Sequence, residues 1–417
     1  MRTVTLALLG LLWAGVAEAA TYYVATTGSD SNTCIQAQNI NTPKRNIGGY
    51  GITTATGITC LTTPGDTLIV RDGTYVEAGI DIRVSGTAAN PITIRAEHHL
   101  QAILSSISGN RCAPNIGIHA SYVVIDGLRG QINPADPYCT PDSQTGAFAR
   151  LWWSGNAPKL TGQQTTIYTG SVIRNCQIDA HRNRSVGIKT NQDNSIIENN
   201  VVHSSIEGQN ANNIIFRNNY ADTGDVWGDI VTCKSGARNC QIYNNTVHKT
   251  KEWMALVAGG NSGNIWDWDS STGYECYNCV IYNNVVYVHA GLGAQAVGLI
   301  GCLNCKFFNN VIINGSLLLE AGGNQGIPPS PFPHNPVVVN NIFGCGGKPA
   351  HHYSVNTFTG TFTEDYNNFF NCTGTPSQAH PIIGDPRFVN VASDWHLLAG
   401  SPALSSGTAV RRPRRRR

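Results

Sequence analysis

The side chains that could do chemistry are concentrated between residues 179 and 257, where lysine, arginine, histidine and carboxylate groups recur at comparable positions. Lysine and carboxylate groups act as general bases or acids when neighbouring charges adjust their pKa values, and exposed rings stack on sugars. The catalytic candidates are Lys234, Lys189 and Arg184. The substrate-binding candidates are Trp227, Trp253, Trp266, Trp268, Arg182, His248 and Lys251.

These residues follow a repeated phrase in which an apolar run is interrupted by Asn-Asn. The first Asn of each copy stands at positions 175, 199, 218, 244, 283, 309, 340 and 367, so the period is mostly in the twenties with insertions. Such a period is typical of a solenoid, and short β-branched and aromatic runs indicate strands. We therefore expect an all-β solenoid whose coils stack about 4.8 Å apart. An Asn at each bend would adopt left-handed backbone geometry and hydrogen-bond to the Asn of the next coil.

Nearly all of the chain that follows residue 20 resembles the pectate-lyase-like right-handed parallel β-helix superfamily. The resemblance rests on the Asn phrase, on segments 22–30, 64–75 and 85–94, and on a closing piece at 385–403. It implies three strands per coil, with the Asn ladder between the second and third. The loop after the third strand and the first strand of the next coil would then form a groove that binds a sugar chain.

Within the groove region, Asp229 to Ser235 resembles the Glu-Ile-Ile-Ser-x-Lys-Ser motif of polysaccharide lyase family six, the group of chondroitinase B and alginate lyases. The resemblance makes Lys234 the base that removes the proton beside a uronate carboxylate, and Asp229 a calcium ligand. A cation on the uronate would acidify that proton. The sequence departs from the motif where Trp227 replaces a second acid and where Val257 replaces the family's arginine.

Calcium is the expected cofactor, and no organic cofactor is expected. The Asp-rich calcium motif of lyase family nine is partly matched. The metal-ligand candidates are Asp229, Asp225, Asp222 and Glu207. Two geometric expectations follow. Asp229 and Lys234 are five residues apart, so a bend must separate them if they share a face. Lys189 and Lys234 each precede their Asn by ten residues, so they should align two coils apart, about 10 Å from each other.

Residues 1–19 read as a secretory signal, since a basic residue is followed by a short apolar run and small residues. We expect a β-helix domain at 20–407 and a disordered arginine-rich tail at 408–417. No later segment is long enough to span a membrane. The formal charge of +2 is due to the tail, so nothing indicates nucleic-acid binding. We expect a secreted monomer.

Thirteen cysteines fit an oxidising compartment, and the odd number leaves at least one thiol, for which Cys176 is the most isolated candidate. Two Cys-x-x-Cys pairs, at 276–279 and 302–305, occupy the same place in consecutive repeats. That placement favours disulfides between stacked coils, or a cysteine ladder, over zinc.

The sequence therefore predicts a polysaccharide lyase that cleaves a uronate-containing polymer by calcium-assisted β-elimination. Two alternatives stay open. One is a glycosidase or epimerase that uses carboxylates such as Asp222, Asp225 and Glu207 on the same fold. The other is a non-catalytic β-helix that binds glycans or serves as a surface structural element.

Overall fold

The computed structural model describes residues 18–49, 55–77, 79–105, 116–131, 147–151, 168–179, 186–222, 229–249, 254–260, 273–289, 292, 295–322, 332–352, 358–374 and 378–410. Three long sheets, each entirely parallel, wind together into a right-handed parallel β-helix. No α-helix occurs in these residues, and none of their helices is long and apolar enough to cross a membrane. The predicted fold class is confirmed.

Each full coil contributes one strand to each sheet in turn. The first sheet contains Ile80–Ile82, Ile116–Ile118, Ala147–Leu151, Val186–Thr190, Ser205–Gln209, Val231–Lys234, Leu256–Gly259, Gln295–Ile300, Ser316–Glu320 and His351–His352. The second contains Thr21–Val24, Thr67–Val70, Ile92–Ala96, Val123–Asp126, Val172–Arg174, Ile196–Glu198, Ile215–Arg217, Gln241–Tyr243, Val280–Tyr282, Lys306–Phe308, Val337–Val339 and Thr363–Asp365. The third contains Gly73–Val76, Ala102–Ser105, Arg129–Gln131, Gln177–Asp179, Val201–Val202, Tyr220–Asp222, Thr246–Lys249, Val285–Val288, Val311–Ile313, Ile342–Gly344 and Asn368–Phe370.

Smaller elements complete the described chain. They are the stacked turn strands Ala237–Arg238, Cys276–Tyr277 and Cys302–Leu303, the antiparallel hairpin Phe388–Asn390 with Asp394–Leu397, and the 3-10 helices Gln36–Gln38 and Ile58–Cys60.

The core is a stack of inward-pointing apolar side chains, because alternate residues of a strand face opposite sides of its sheet. One inward column of the first sheet is fully buried, and consecutive members pair in register: Ile188, Ile206, Val231, Leu256, Val297 and Leu317. Burying an aliphatic side chain contributes about 1.5–3 kcal/mol. The outward neighbours of this column form the outer face of the first sheet.

At each bend one Asn adopts the left-handed backbone conformation and the next Asn forms the ladder hydrogen bonds, whereas we expected a single Asn to do both. The first Asn turns the chain in the left-handed region, as at Asn244 with φ 56°. The second is buried and forms the ladder: Asn245 Oδ1 accepts from Asn219 Nδ2 at 3.0 Å, and Asn245 Nδ2 donates to Asn284 Oδ1 at 2.9 Å. The ladder lies between the second and third strands, as expected. In the last repeat Asn367 is the buried member, and Tyr366 takes the left-handed position.

Disulfides join cysteines both within one coil and between segments 26 or 27 residues apart. The described pairs are Cys34–Cys60, Cys233–Cys240, Cys276–Cys279 and Cys345–Cys372. The prediction that Cys176 is free is confirmed, and its buried thiol takes the place of the ladder Asn in its coil. The prediction of a disulfide between coils is wrong for Cys276, which bonds within its own turn although it is in register with Cys302.

Candidate active site

Three candidate residues lie on consecutive strands of the first sheet and point outward. Glu207 is between the lysines: its Oε2 is 4.0 Å from Lys189 Nζ and its Oε1 is 3.5 Å from Lys234 Nζ. Gln209 Nε2 donates to Glu207 Oε2 at 3.1 Å. The three charged side chains are only 12–17% exposed. The structure therefore brings Lys189, Glu207 and Lys234 into one partly buried cluster.

The expected alignment of the two lysines is wrong by two residues. Lys189 is in register with Glu207 and Thr232, whereas Lys234 is in register with Gln209. Over the coils that carry Lys189, Glu207 and Thr232, the segment from this row of the first sheet to the Asn pair lengthens by one residue per coil, so equal distances from the Asn do not mean equal positions on the sheet. The long lysine side chains nevertheless reach the same carboxylate.

Asp229 precedes the strand that carries Lys234, and a bend at Ile230 separates the two, as the sequence required. The Asp229 side chain joins the cluster beside Gly260. A Cβ at Gly260, whose φ is 143°, would lie 3.4 Å from Lys234 Cδ and 3.7 Å from Asp229 Oδ2. Gly260 therefore leaves open the space in which the acid and the lysine approach each other.

The carboxyl of Asp229 is in an environment that favours its protonated form. The residue is 9% exposed, and its Oδ1 has no hydrogen-bond partner among the described residues. Burial raises the pKa of Asp229 to about 6; Glu207 adds to this, while Lys234 opposes it. Such perturbed groups are typical of functional sites.

Lys234 is in an environment that favours its charged form. Burial alone would lower its pKa, but the carboxylates of Glu207, Asp229 and Glu275 outweigh burial and raise the pKa. Glu275 is fully buried and accepts a hydrogen bond from the Ser235 amide at 2.9 Å. The sequence did not single out Glu275. The available signal was its position: it directly precedes the Cys276–Cys279 turn, and this turn stacks on the turn that follows Lys234.

The described residues do not fit the calcium site that the resemblance implies. Calcium takes six to eight oxygen ligands, and among the described residues of this cluster only Asp229 Oδ1 and Gln209 Oε1 are buried side-chain oxygens without a hydrogen-bond partner. The oxygens of Glu207 contact lysines and Gln209. Asp222 lies on the third sheet, where its carboxylate is 3.0 Å from His203 Nδ1 and accepts from Tyr220 Oη at 3.2 Å. The structure does not bring Asp222 together with Asp229.

His248 also lies on the third sheet, away from the lysine cluster. Its ring centre is 5.3 Å from that of Tyr220 and 5.6 Å from that of Tyr287. Burial and the neighbouring His289 lower its pKa. The remaining candidates lie outside the described residues: Arg182, Arg184, Asp225, Trp227, Lys251, Trp253, Trp266 and Trp268.

The outer face of the first sheet changes character along the helix axis. The row that carries Lys189, Glu207 and Thr232 continues in register to Val257, Gly298 and Leu318. Val257 and Leu318 pack with Met254 and Ile300 in a buried apolar cluster on this face. Met254 lies over Gly298, since a Cβ there would be 2.8 Å from the Met254 sulfur. The charged cluster therefore borders an apolar patch.

No protein-family model and no curated protein matches the sequence. Solved structures do match. A GH136 lacto-N-biosidase from Eubacterium ramulus has a TM-score of 0.55 at 10% identity, over 88% of this chain and 67% of that chain. The fold is that of the pectate-lyase-like β-helix proteins. An exopolygalacturonase from Thermotoga maritima has a TM-score of 0.48 at 14% identity, over 73% and 79% of the two chains. An alginate lyase from Paenibacillus sp. str. FPU-7 has a TM-score of 0.45 at 16% identity, over 78% and 96%.

Proposed function

We propose that this protein cleaves a uronate-containing polysaccharide by hydrolysis on the outer face of the first sheet. The observation that carries the proposal is the pairing of unlike carboxyl groups. Asp229 is buried with a pKa raised to about 6, while Glu207 contacts two lysines. Environments that separate two carboxyl groups in this way supply an acid and a base for glycoside cleavage.

The residues have distinct roles in this reaction. Asp229 donates its proton to the glycosidic oxygen as the bond from that oxygen to the sugar carbon breaks. Glu207 accepts a proton from the water whose oxygen forms the new bond to that carbon. Lys189 and Lys234 compensate the negative charge of Glu207 and attract the carboxylates of the polymer. No step requires a metal ion.

β-Elimination is the second candidate, and it is favoured by the place of Lys234 in the cluster and by its motif. A base must first lose its proton, and the surrounding carboxylates raise the pKa of Lys234. An elimination by Lys234 would therefore accelerate as the pH rises into the alkaline range. Hydrolysis by Asp229 would slow as the pH rises above about 6.

The test is a panel of pectate, alginate, chondroitin and dermatan, assayed with calcium and with a chelator across the pH range. New reducing ends without unsaturated uronate absorbance, unaffected by chelation, support hydrolysis. Unsaturated ends that require calcium and Lys234 instead establish elimination. Binding without product from any polymer contradicts both reactions.

Substitutions in the cluster test whether Asp229 and Glu207 are responsible for cleavage of the polymer. Asp229→Asn and Glu207→Gln are each expected to lower kcat by about 10²–10⁴. The matched control is Glu198→Gln, because Glu198 forms a similar ion pair with Arg217 on the second sheet. Equal activity in Asp229→Asn and the control would overturn the assignment.

A further inference from the structure

Three consecutive coils contain the same turn just before the second sheet. Its sequences are Ala237-Arg-Asn-Cys240, Cys276-Tyr-Asn-Cys279 and Cys302-Leu-Asn-Cys305. The third residue is left-handed in all three, with φ of 55°, 52° and 55°. Ala237, Cys276 and Cys302 pair in register. The turns are therefore three copies of one backbone conformation.

The sulfur atoms occupy matching places in the last two turns. Cys279 Sγ lies 3.8 Å from the Ala237 carbonyl oxygen and 3.5 Å from that of Tyr277. Cys305 Sγ lies 4.0 Å from the Cys276 carbonyl oxygen and 3.6 Å from that of Leu303. Cys276 and Cys279 are joined in this conformation. Since backbone geometry determines whether two cysteines can be bridged, the next turn can hold the same bond.

We propose that Cys302 and Cys305 form a disulfide in the mature protein, stacked directly on Cys276–Cys279. The structure shows both as fully buried thiols that are not joined and lie beside each other. Each thiol loses its hydrogen as the S–S bond forms. The two electrons and two protons reduce a disulfide of a thiol-oxidising protein to a dithiol. Burial requires that the bond forms before the coil closes.

The surroundings of the pair favour this bond over the alternatives. In the first turn Ala237 replaces the leading cysteine, and Cys240 bonds instead to Cys233. With Cys276 and Cys279 joined to each other, no partner for Cys302 or Cys305 remains in the neighbouring turn. A metal site with four cysteine ligands is the rival, because the sulfurs of Cys276, Cys279 and Cys305 lie within 4.8 Å of one another. Such a site would require all four as thiolates.

The experiment maps the bonds in the full chain isolated from an oxidising compartment. The protein is denatured without reductant, alkylated with iodoacetamide and cleaved with chymotrypsin. Cleavage after Tyr282 or Tyr287 separates the two cysteine pairs, which trypsin would leave in one peptide. We expect the peptide with Cys302 and Cys305 to be unalkylated and lighter by two hydrogens. Cys176 is the internal control and should be alkylated.

Other outcomes overturn the proposal. Alkylation of Cys302 and Cys305 shows free thiols, and a cross-linked peptide containing Cys276 shows a bond between coils. One equivalent of zinc in the purified protein, with all four cysteines alkylated after denaturation, shows a metal site. In Cys302→Ser, Cys305 should become alkylated while Cys276–Cys279 stays intact. None of these results depends on catalytic activity.

Discussion

Asp229 and Glu207 lie in different electrostatic surroundings because their neighbours differ. Glu207 contacts two ammonium groups and an amide, so its charge is compensated. Asp229 is buried, and its Oδ1 has no hydrogen-bond partner among the described residues, although a backbone hydrogen bond at Met254 partly compensates the charge of the carboxylate. A buried carboxylate that is only partly hydrogen-bonded is costly. At neutral pH, Asp229 therefore carries a charge that its site stabilises poorly.

The poorly stabilised charge of Asp229 makes the free energy of unfolding depend on pH. The pKa of Asp229 is raised from 3.8 to about 6, so its contribution to stability is fully present below the unfolded-state pKa of about 4. That contribution is lost as the pH rises through about 6. Asp229→Asn should remove the cost and stabilise the fold at pH 7.5 by on the order of 2–3 kcal/mol. Chemical denaturation of both proteins at pH 4 and 7.5 measures this. A variant less stable at pH 7.5 would contradict it.

The Asn ladder is the element that connects coils at the bend. Each buried amide accepts bonds from the preceding coil and donates to a carbonyl there and to the next Asn, as Asn245 does with Phe216 and Asn284. The column ends at Cys176, whose amide donates to Asn200, and at Gln378, which accepts from Asn367. Every buried polar group in the column has a partner only while the stack is complete.

Asn245→Ala should therefore be severely destabilising. It leaves the buried backbone N–H of Asn219 without its partner and removes one hydrogen bond each from Asn219 Nδ2, the Phe216 carbonyl and Asn284 Oδ1, at a cost on the order of 3–5 kcal/mol. The control is Asn239→Gly, which retains the left-handed turn and removes one exposed amide bond to Asn213. Urea unfolding should show a change below about 1 kcal/mol for the control. Similar losses in both variants would show that burial is not the cause.

At the scale of the whole molecule, the outer face of the first sheet changes from charged to apolar along the helix axis. Its charged cluster is followed by the apolar cluster of Met254, Val257, Ile300 and Leu318. A hydrated polysaccharide gains little from an apolar surface that is already buried. A chain bound along the sheet should therefore end near Gly260, beside the reactive groups.

This arrangement predicts cleavage near the end of the bound chain. Short products should accumulate from the start, while the viscosity of the polymer solution falls slowly relative to the number of new ends. Partial acid hydrolysis of the same polymer provides the comparison for random scission. A rapid loss of viscosity with few new ends would contradict the predicted mode, although not the hydrolytic reaction itself.

Much of the coil could be predicted from the sequence because its requirements are local. A left-handed bend favours Asn at positions such as 244, and alternation of apolar residues separates the core side of a strand from its outer side. The position of the ladder between the second and third strands was implied by the resemblance alone. Lys234, Glu207 and Asp229 could likewise be singled out by residue type and position.

Only the tertiary structure determined which of those side chains contact each other and how their surroundings shift their pKa values. Register depends on the lengths of turns that vary between coils, so Lys189 pairs with Glu207 while Asp222 lies on another sheet with His203. Protonation depends on burial and on neighbours distant in sequence, such as Glu275 beside Lys234. Local preferences therefore determined the coil, whereas the site arose from contacts between coils that no single repeat contains.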